Sequence, residues 1–388
     1  MSTGVAILGS TGSIGRQALE VIAAHPGRFR VVGLAAAHPS ETFIGQLADW
    51  SEATAWCAAG VPEGLDARRW ASGGLAEIAM LDGADLVVVA TTGMTALPAV
   101  LAALRAGRRV ALANKETLVT GGHLVAAALE ELAPGTDPLE QLDRLRPIDS
   151  EHSAIWQSLR GERLADVRRL VLTASGGPFL RTAPDRLARV TREEALAHPT
   201  WRMGPKITID SATLVNKAFE VIEAKWLYRL PYSTIAAVIH PGSVVHSLVE
   251  FVDGSFKAQL GVPDMRLPIQ YALTYPQRLP SPARHTPPEA WDALAFEPLD
   301  ESRYPAYTVT RRAAEAGGNR GSVLNAADEV AVAAFLDGRI GFDKISTVIE
   351  SAVDRWGTDV EPGLDAIAEL DSEVRLVMGA ELGMRGDA

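Results

Sequence analysis

The chain has 388 residues, 47% of them apolar, and a formal charge of −11. That length exceeds one ordinary core, and that apolar share excludes a largely disordered chain. The negative balance argues against nucleic acid or an anionic membrane as partner, and admits an anionic substrate only beside a local group of cations.

Cys57 is the single cysteine, so no intrachain disulfide and no thiolate zinc cluster can form, and a reducing compartment is expected. The start, MSTGVAILGSTGSIG, has no basic region and no long apolar segment. The apolar run 86–91 is too short to span a bilayer. A cytoplasmic protein is expected. VAILG (5–9), RVVGLAAA (30–37), LVVVAT (86–91) and RVALAN (109–114) read as buried strands, with helical stretches such as 95–107 between them. This alternation predicts an α/β fold with an N-terminal, Rossmann-like, doubly wound parallel sheet over residues 1–149. GSTGSIG (9–15) follows the first strand and opens a helix. Gly9, Gly12 and Gly15 let backbone amides approach a pyrophosphate there. A tight strand–helix turn also explains three glycines, but the place after the first strand favours a dinucleotide. At the end of the second strand, where an NAD site carries an acidic residue, the chain reads LAAAHPS, with no Asp or Glu before Glu41. Only His38 and Ser40 stand there to meet a 2′-phosphate, and NADP is expected.

From 150 to 274 the pattern becomes that of a central α+β catalytic domain. RRLVLTAS (168–175), AAVIH (236–240) and VVHSLVEFV (244–252) read as strands, and Asp253-Gly254 turns the last into SFKAQLG as a hairpin. Residues 275–305 hold seven prolines and read as a linker. Residues 306–388 read as a helical bundle domain, with Ile345, Val348, Ile349 and Ala352 on one face of a helix.

Between the first two domains stands RPIDSEHSAIWQ (146–157). On an extended backbone Asp149 and Glu151 point the same way, either into water or towards something positive. DSATLVNKAFEVIEAKWLYRL (210–230) has a helix pattern with Asp210 or Ser211 at its cap. Its polar side carries Thr213, Asn216, Lys217 and Glu220. Alone, that side reads as the solvated face of a surface helix. Joined to Asp149 and Glu151, Glu220 completes three carboxylates suited to Mg²⁺ or Mn²⁺. TASGGPF (173–179) follows a strand, and Ser175 with its two glycines can form an anion nest; a glycine turn is the plain alternative. Ser211 at a helix start, with Asn216 and Lys217, adds donors for a phosphate. AHPTWRMGP (197–205) reads as an ordered loop or lid. There Trp201 either closes over substrate or packs beneath the loop, and His198 either reaches an anion or lies on the surface.

Together LGSTGSIG, LANKE, DSEH, SGGPF, HPTWRMG, DSATLVNKAFEVIEA, HPGSVVHS and GVPDMRLPI resemble the 1-deoxy-D-xylulose 5-phosphate reductoisomerase family, in its order, over residues 5 to about 270. The resemblance implies conversion of that sugar phosphate to 2-C-methyl-D-erythritol 4-phosphate, with NADPH and a divalent ion, on the non-mevalonate route to isoprenoids. It implies carbon–carbon rearrangement by retro-aldol cleavage and re-addition, then hydride transfer to an aldehyde. By resemblance Asp149, Glu151 and Glu220 hold the ion (Mn²⁺, Mg²⁺ or Co²⁺), and Lys115, Glu151 and His198 are catalytic. Ser150, Ser175, His198, Trp201, Ser211, Asn216 and Lys217 bind substrate, and His198, Trp201 and Met203 belong to a flexible loop over 194–205. Thr11, Gly12, Ser13, Ile14, His38, Asn114, Glu116, Met203 and Met265 meet the cofactor. His246 is expected near the site without an assigned role, and a homodimer is the family expectation. Relatives often carry a Gly-Lys-Asn type stretch where this chain has Ala37-His38-Pro39, so the strength of NADPH preference is open. Two rivals remain. A semialdehyde-type dehydrogenase would need Cys57, which lies well before the second domain, as nucleophile. A cofactor-binding regulator would need no carboxylate triad.

Overall fold

Short, almost fully buried segments make the first sheet. They are β1 (Thr3–Leu8), β2 (Phe29–Ala36), β3 (Thr54–Cys57), β4 (Leu86–Val89), β5 (Arg109–Leu112) and β6 (Leu145–Pro147). Burial on both faces is what parallel strands with helices on either side require. All five pairings are parallel, in the order β3-β2-β1-β4-β5-β6. The order reverses between β1 and β4, the switch point at which such sheets bind ligands. In this computed structural model residues 2–384 except Arg202 are described. Arg202 in the loop expected over 194–205, and the last four residues of the expected helical domain, lie outside that set.

The second sheet is mixed. It comprises β7 (Val167–Ala174), β8 (Ile235–Ile239), β9 (Val245–Phe251), β10 (Phe256–Leu260) and the two-residue β11 (Glu297–Pro298). Its order is β10-β9-β7-β8-β11, with β7–β8 parallel and β7–β9 and β9–β10 antiparallel. The hairpin turns at Gly254, whose φ of +86° suits glycine.

Two compact units result. The first holds Met1–Thr117, Leu124–Gly161 and Asp264–His285. The second holds Leu118–His123, Glu162–Pro263 and Thr286–Ala388. In the first, Ile269, Ala272 and Leu273 of helix Arg266–Thr274 join the core formed by Val5, Ile7, Leu34 and Val88. The chain thus returns to its first unit after the second sheet. In the second, helices Val215–Tyr228, Pro305–Ala316, Arg320–Leu336 and Ile345–Trp356 share one core, with Phe219, Val323, Ile345 and Ile349 inside it. Ile345, Ile349 and Ala352 are buried on one face as their spacing predicts. Among the described residues no helix is long and apolar enough to cross a membrane.

Candidate active site

In the first unit the glycine loop is shaped by close approach. Gly9 has φ +86°, and a Cβ there would lie 2.5 Å from the carbonyl oxygen of Ala90. A Cβ on Gly15 would lie 2.3 Å from the carbonyl oxygen of Gly9. No side chain fits at either place, so the backbone of β1 turns straight into helix Ser13–Ala23, capped by Gly12. Gly12 and Ser13 are exposed, and Thr11 and Ile14 half-buried, so the helix start is open to a ligand at the sheet's carboxyl edge. His38 is exposed past β2. The Ser40 oxygen accepts from the Phe43 amide at 3.3 Å and caps helix Glu41–Asp49.

Asn114 ties two loops together. Its amide donates to the carbonyls of Thr91 (2.8 Å) and Gly93 (2.7 Å). Its oxygen accepts from the amide and hydroxyl of Thr117 at 2.8 and 2.6 Å. The side chain therefore shapes the edge of the sheet. Lys115, buried beside it, places Nζ 2.5 Å from Asp149 Oδ2, and half-buried Glu116 begins the next helix. Asp149 precedes helix Ser150–Ser158 and Glu151 lies in its first turn. The extended geometry considered for this pair is therefore corrected: β6 stops at Pro147, and Asp149 (φ −53°, ψ 132°) turns the chain into a helix. The Ser150 hydroxyl donates to Glu151 Oε2 at 2.6 Å. Met265 caps helix Arg266–Thr274 and packs on the core of this unit.

In the second unit Ser175, His198 and Ser211 converge. His198 Nε2 is 3.2 Å from Ser175 Oγ and 3.1 Å from Ser211 Oγ. Its Nδ1 accepts from the amides of Thr200 (3.1 Å) and Trp201 (2.9 Å), which assigns the proton of the neutral ring to Nε2. Burial holds this imidazole below its usual pKa. Gly176 and Gly177 have φ of +86° and +67°. A Cβ on Gly177 would lie 2.8 Å from the Ser211 carbonyl oxygen, so the nest requires glycine. The Tyr304 hydroxyl donates to the Gly176 carbonyl at 3.0 Å, a support that the sequence did not reveal because it lies 128 residues away.

Helix 210–230 is corrected in two respects. It is two helices, Pro205–Thr213 and Val215–Tyr228, joined at Leu214 with φ +58°. Ser211 therefore sits in the last turn of the first helix and not at a helix start. The polar side is also not solvated: Lys217 and Glu220 are 3% and 1% exposed. Asn216 Nδ2 donates to Glu220 Oε1 at 2.5 Å, and the Lys217 ammonium bonds Glu220 Oε2. Spacings of three and four residues put these groups on one face. Trp201 lies with its ring centroid 6.4 Å from that of the buried His246. Met203 is half-buried.

Lys206 is a residue that sequence reasoning missed. Its Nζ bridges Asp210 Oδ2 (2.6 Å) and Asp328 Oδ2 (2.7 Å). The spacing of four from Asp210 is visible in the sequence, whereas Asp328 comes from a distant helix.

Three domain families match the chain. They are 1-deoxy-D-xylulose 5-phosphate reductoisomerase over residues 5–122, its C-terminal domain over 145–228, and a DXP reductoisomerase C-terminal domain over 260–377. The reductoisomerase of Pelotomaculum thermopropionicum is 46% identical over 382 residues, covering 96% of each chain. That of Symbiobacterium thermophilum is 48% identical over 388 residues, covering 97% of each. This chain belongs to the 1-deoxy-D-xylulose 5-phosphate reductoisomerase family. It is accordingly an oxidoreductase, as its sequence motifs imply. Among solved structures, a DOX-P reductoisomerase in complex with NADPH, fosmidomycin and magnesium superposes with a TM-score of 0.88 at 36% identity, covering 98% of each chain. The reductoisomerase of Zymomonas mobilis in complex with NADPH superposes at 0.86, with 38% identity and 98% and 99% coverage. The α/β class expected for this reductoisomerase agrees with both.

Proposed function

We propose that the chain converts 1-deoxy-D-xylulose 5-phosphate to 2-C-methyl-D-erythritol 4-phosphate, using NADPH and a divalent metal ion, in the non-mevalonate route to isoprenoids. Beyond family membership, the observation that carries this reading is the convergence of Ser175, His198 and Ser211 within one unit. A nest of two left-handed glycines, two hydroxyls and an imidazole Nε2 suits a phosphate monoester. A related structure supports the cofactors: a DOX-P reductoisomerase holds NADPH and magnesium together.

Asp149, Glu151 and Glu220 would hold the ion. They are hard oxygen donors, and lysine ammoniums already lie against Asp149 and Glu220. Bound there, a divalent ion, magnesium or manganese, would supply Lewis-acid polarisation of the substrate's oxygens. The chain's own residues do the rest of the work. Lys115 fixes Asp149, and Ser150 fixes Glu151. Ser175, Ser211, Asn216 and Lys217 grip the phosphate end, and His198 completes the grip as a proton-carrying group. Remote phosphate binding of this kind holds the substrate in line for rearrangement. Trp201, with Met203, excludes water above the reacting carbons. Thr11, Gly12, Ser13 and Ile14 bind the pyrophosphate, Glu116 the ribose and Met265 the nicotinamide face, while exposed His38 meets the 2′-phosphate.

We place the enzyme in the cytoplasm, where the buried thiol of Cys57 stays reduced. Strand β10 is an edge of its sheet, with Phe256 and Leu260 exposed by 52% and 37%. A second copy of the chain covering that edge would form the homodimer. The test is product identity. Incubation with the sugar phosphate, NADPH and Mg²⁺ should yield the branched tetritol phosphate by NMR; unchanged substrate would refute the reading.

A further inference from the structure

The first unit carries a cleft of about 860 Å³ that its glycine loop does not use. Thr3, Phe29, Leu86 and Arg109, the first residues of β1, β2, β4 and β5, line it. The cleft therefore opens at the amino ends of the parallel strands, opposite the carboxyl edge that carries the glycine loop. Arg28, Arg109, Arg146 and Arg160 face it against only two carboxylates, Glu140 and Asp143. This excess of cations stands out in a chain of net charge −11.

Asp143 is already engaged, because Arg146 Nη2 donates to its Oδ1 at 2.6 Å. Arg160 has no carboxylate partner among the described residues. Its guanidinium lies over the Tyr275 ring, 4.8 Å from the centroid, and that of Arg146 lies 5.3 Å from the same centroid. The Nε–H of Arg109 is buried without a hydrogen-bond acceptor, with Asp143 Oδ2 at 3.9 Å. The Arg109 side chain is nonetheless 44% exposed, so its guanidinium can offer other N–H groups to an anion in the cleft.

We propose that this cleft is a second ligand site, for a small phosphate or diphosphate anion seated between Arg109 and Arg160, whose guanidinium lies over the Tyr275 ring. Its volume suits a metabolite. Guanidinium forks match phosphate oxygens in charge and geometry. The site shares no residue with the proposed reaction, so its failure would leave that reading intact.

The test is calorimetric titration of the full chain, with NADPH present, by inorganic pyrophosphate, and in a second arm by succinate. Pyrophosphate should bind the wild type at a site that Arg160→Ala and Arg109→Gln each weaken about tenfold or more. Lys217→Ala should leave that site intact. Arg160→Lys, which keeps the charge and loses the fork, should fall between wild type and Arg160→Ala. Unchanged melting of Arg160→Ala, at an exposed position, would tie its loss to the ligand. Absence of binding, equal binding by wild type and Arg160→Ala, or loss in Lys217→Ala alone would overturn the proposal. Tighter binding of succinate than of pyrophosphate would overturn its phosphate character.

Discussion

Glu220 is a carboxylate 1% exposed, held by Asn216 on one oxygen and Lys217 on the other. Glu220→Gln keeps the shape and removes the charge. Turnover should fall about a hundredfold or more, since metal assistance is worth several kcal/mol, while melting and NADPH binding persist. Near-normal turnover would remove Glu220 from the ligand set. At Gly177 the constraint is steric. Gly177→Ala meets φ +67° and the Ser211 carbonyl oxygen. Urea unfolding should show a loss of about 1–2 kcal/mol. His198 adds a pH dependence. Burial lowers its pKa, so the unfolded chain takes up that proton more readily, and folding stability drains away as pH falls below the usual imidazole value. Nδ1, where a second proton would go, already accepts two backbone amides, so the ring stays neutral and donates from Nε2 to the phosphate. His198→Gln, which keeps a donor, should weaken substrate binding less than His198→Ala in calorimetry. Equal loss in the two variants would contradict this role.

At the scale of elements, the break at Leu214 brings the end of one helix and the start of the next to the same place. Ser211 faces the glycine nest from the first, and Asn216, Lys217 and Glu220 extend along the second. Lys206 pins the first helix to helix Arg320–Leu336 through Asp328, which is 1% exposed at its side chain. Breaking a buried ion pair leaves an uncompensated charge. Lys206→Met should cost about 2–3 kcal/mol in urea unfolding, at the low end because Lys206 is itself 28% exposed. Unaltered stability would show the bridge to be incidental. The helix break was not legible in the sequence. Residues 205–228 carry apolar and polar residues at helical spacing, and no Gly or Pro lies between Pro205 and Tyr228. A leucine with positive φ persists only because Ala174, Ala218 and Tyr307 pack around it, which is tertiary information. The burial of Lys217 and Glu220 was hidden for the same reason: spacing shows which residues share a face, not what covers it. Asp149 and Glu151 were legible as chemistry but not as geometry, because three residues of β6 leave a periodicity too short to bound.

At the scale of the molecule, alternation of apolar runs and helical stretches was enough to read the parallel sheet. Burial on both faces makes β1 and β4 continuous apolar segments. Strand β3, TAWC, and the return of residues 264–285 to the first unit were not legible, since four residues carry little pattern and a chain reversal carries none. The cofactor loop belongs to the first unit and the phosphate cradle to the second. The proposed reaction should require cofactor, metal and sugar phosphate at once. The measurement that tests this most directly is NADPH oxidation with 1-deoxy-D-xylulose 5-phosphate, in EDTA and then with Mg²⁺ or Mn²⁺ restored. Oxidation should be absent in EDTA and recover fully with either ion. Oxidation that continues at the same rate in EDTA would contradict the assignment of Asp149, Glu151 and Glu220.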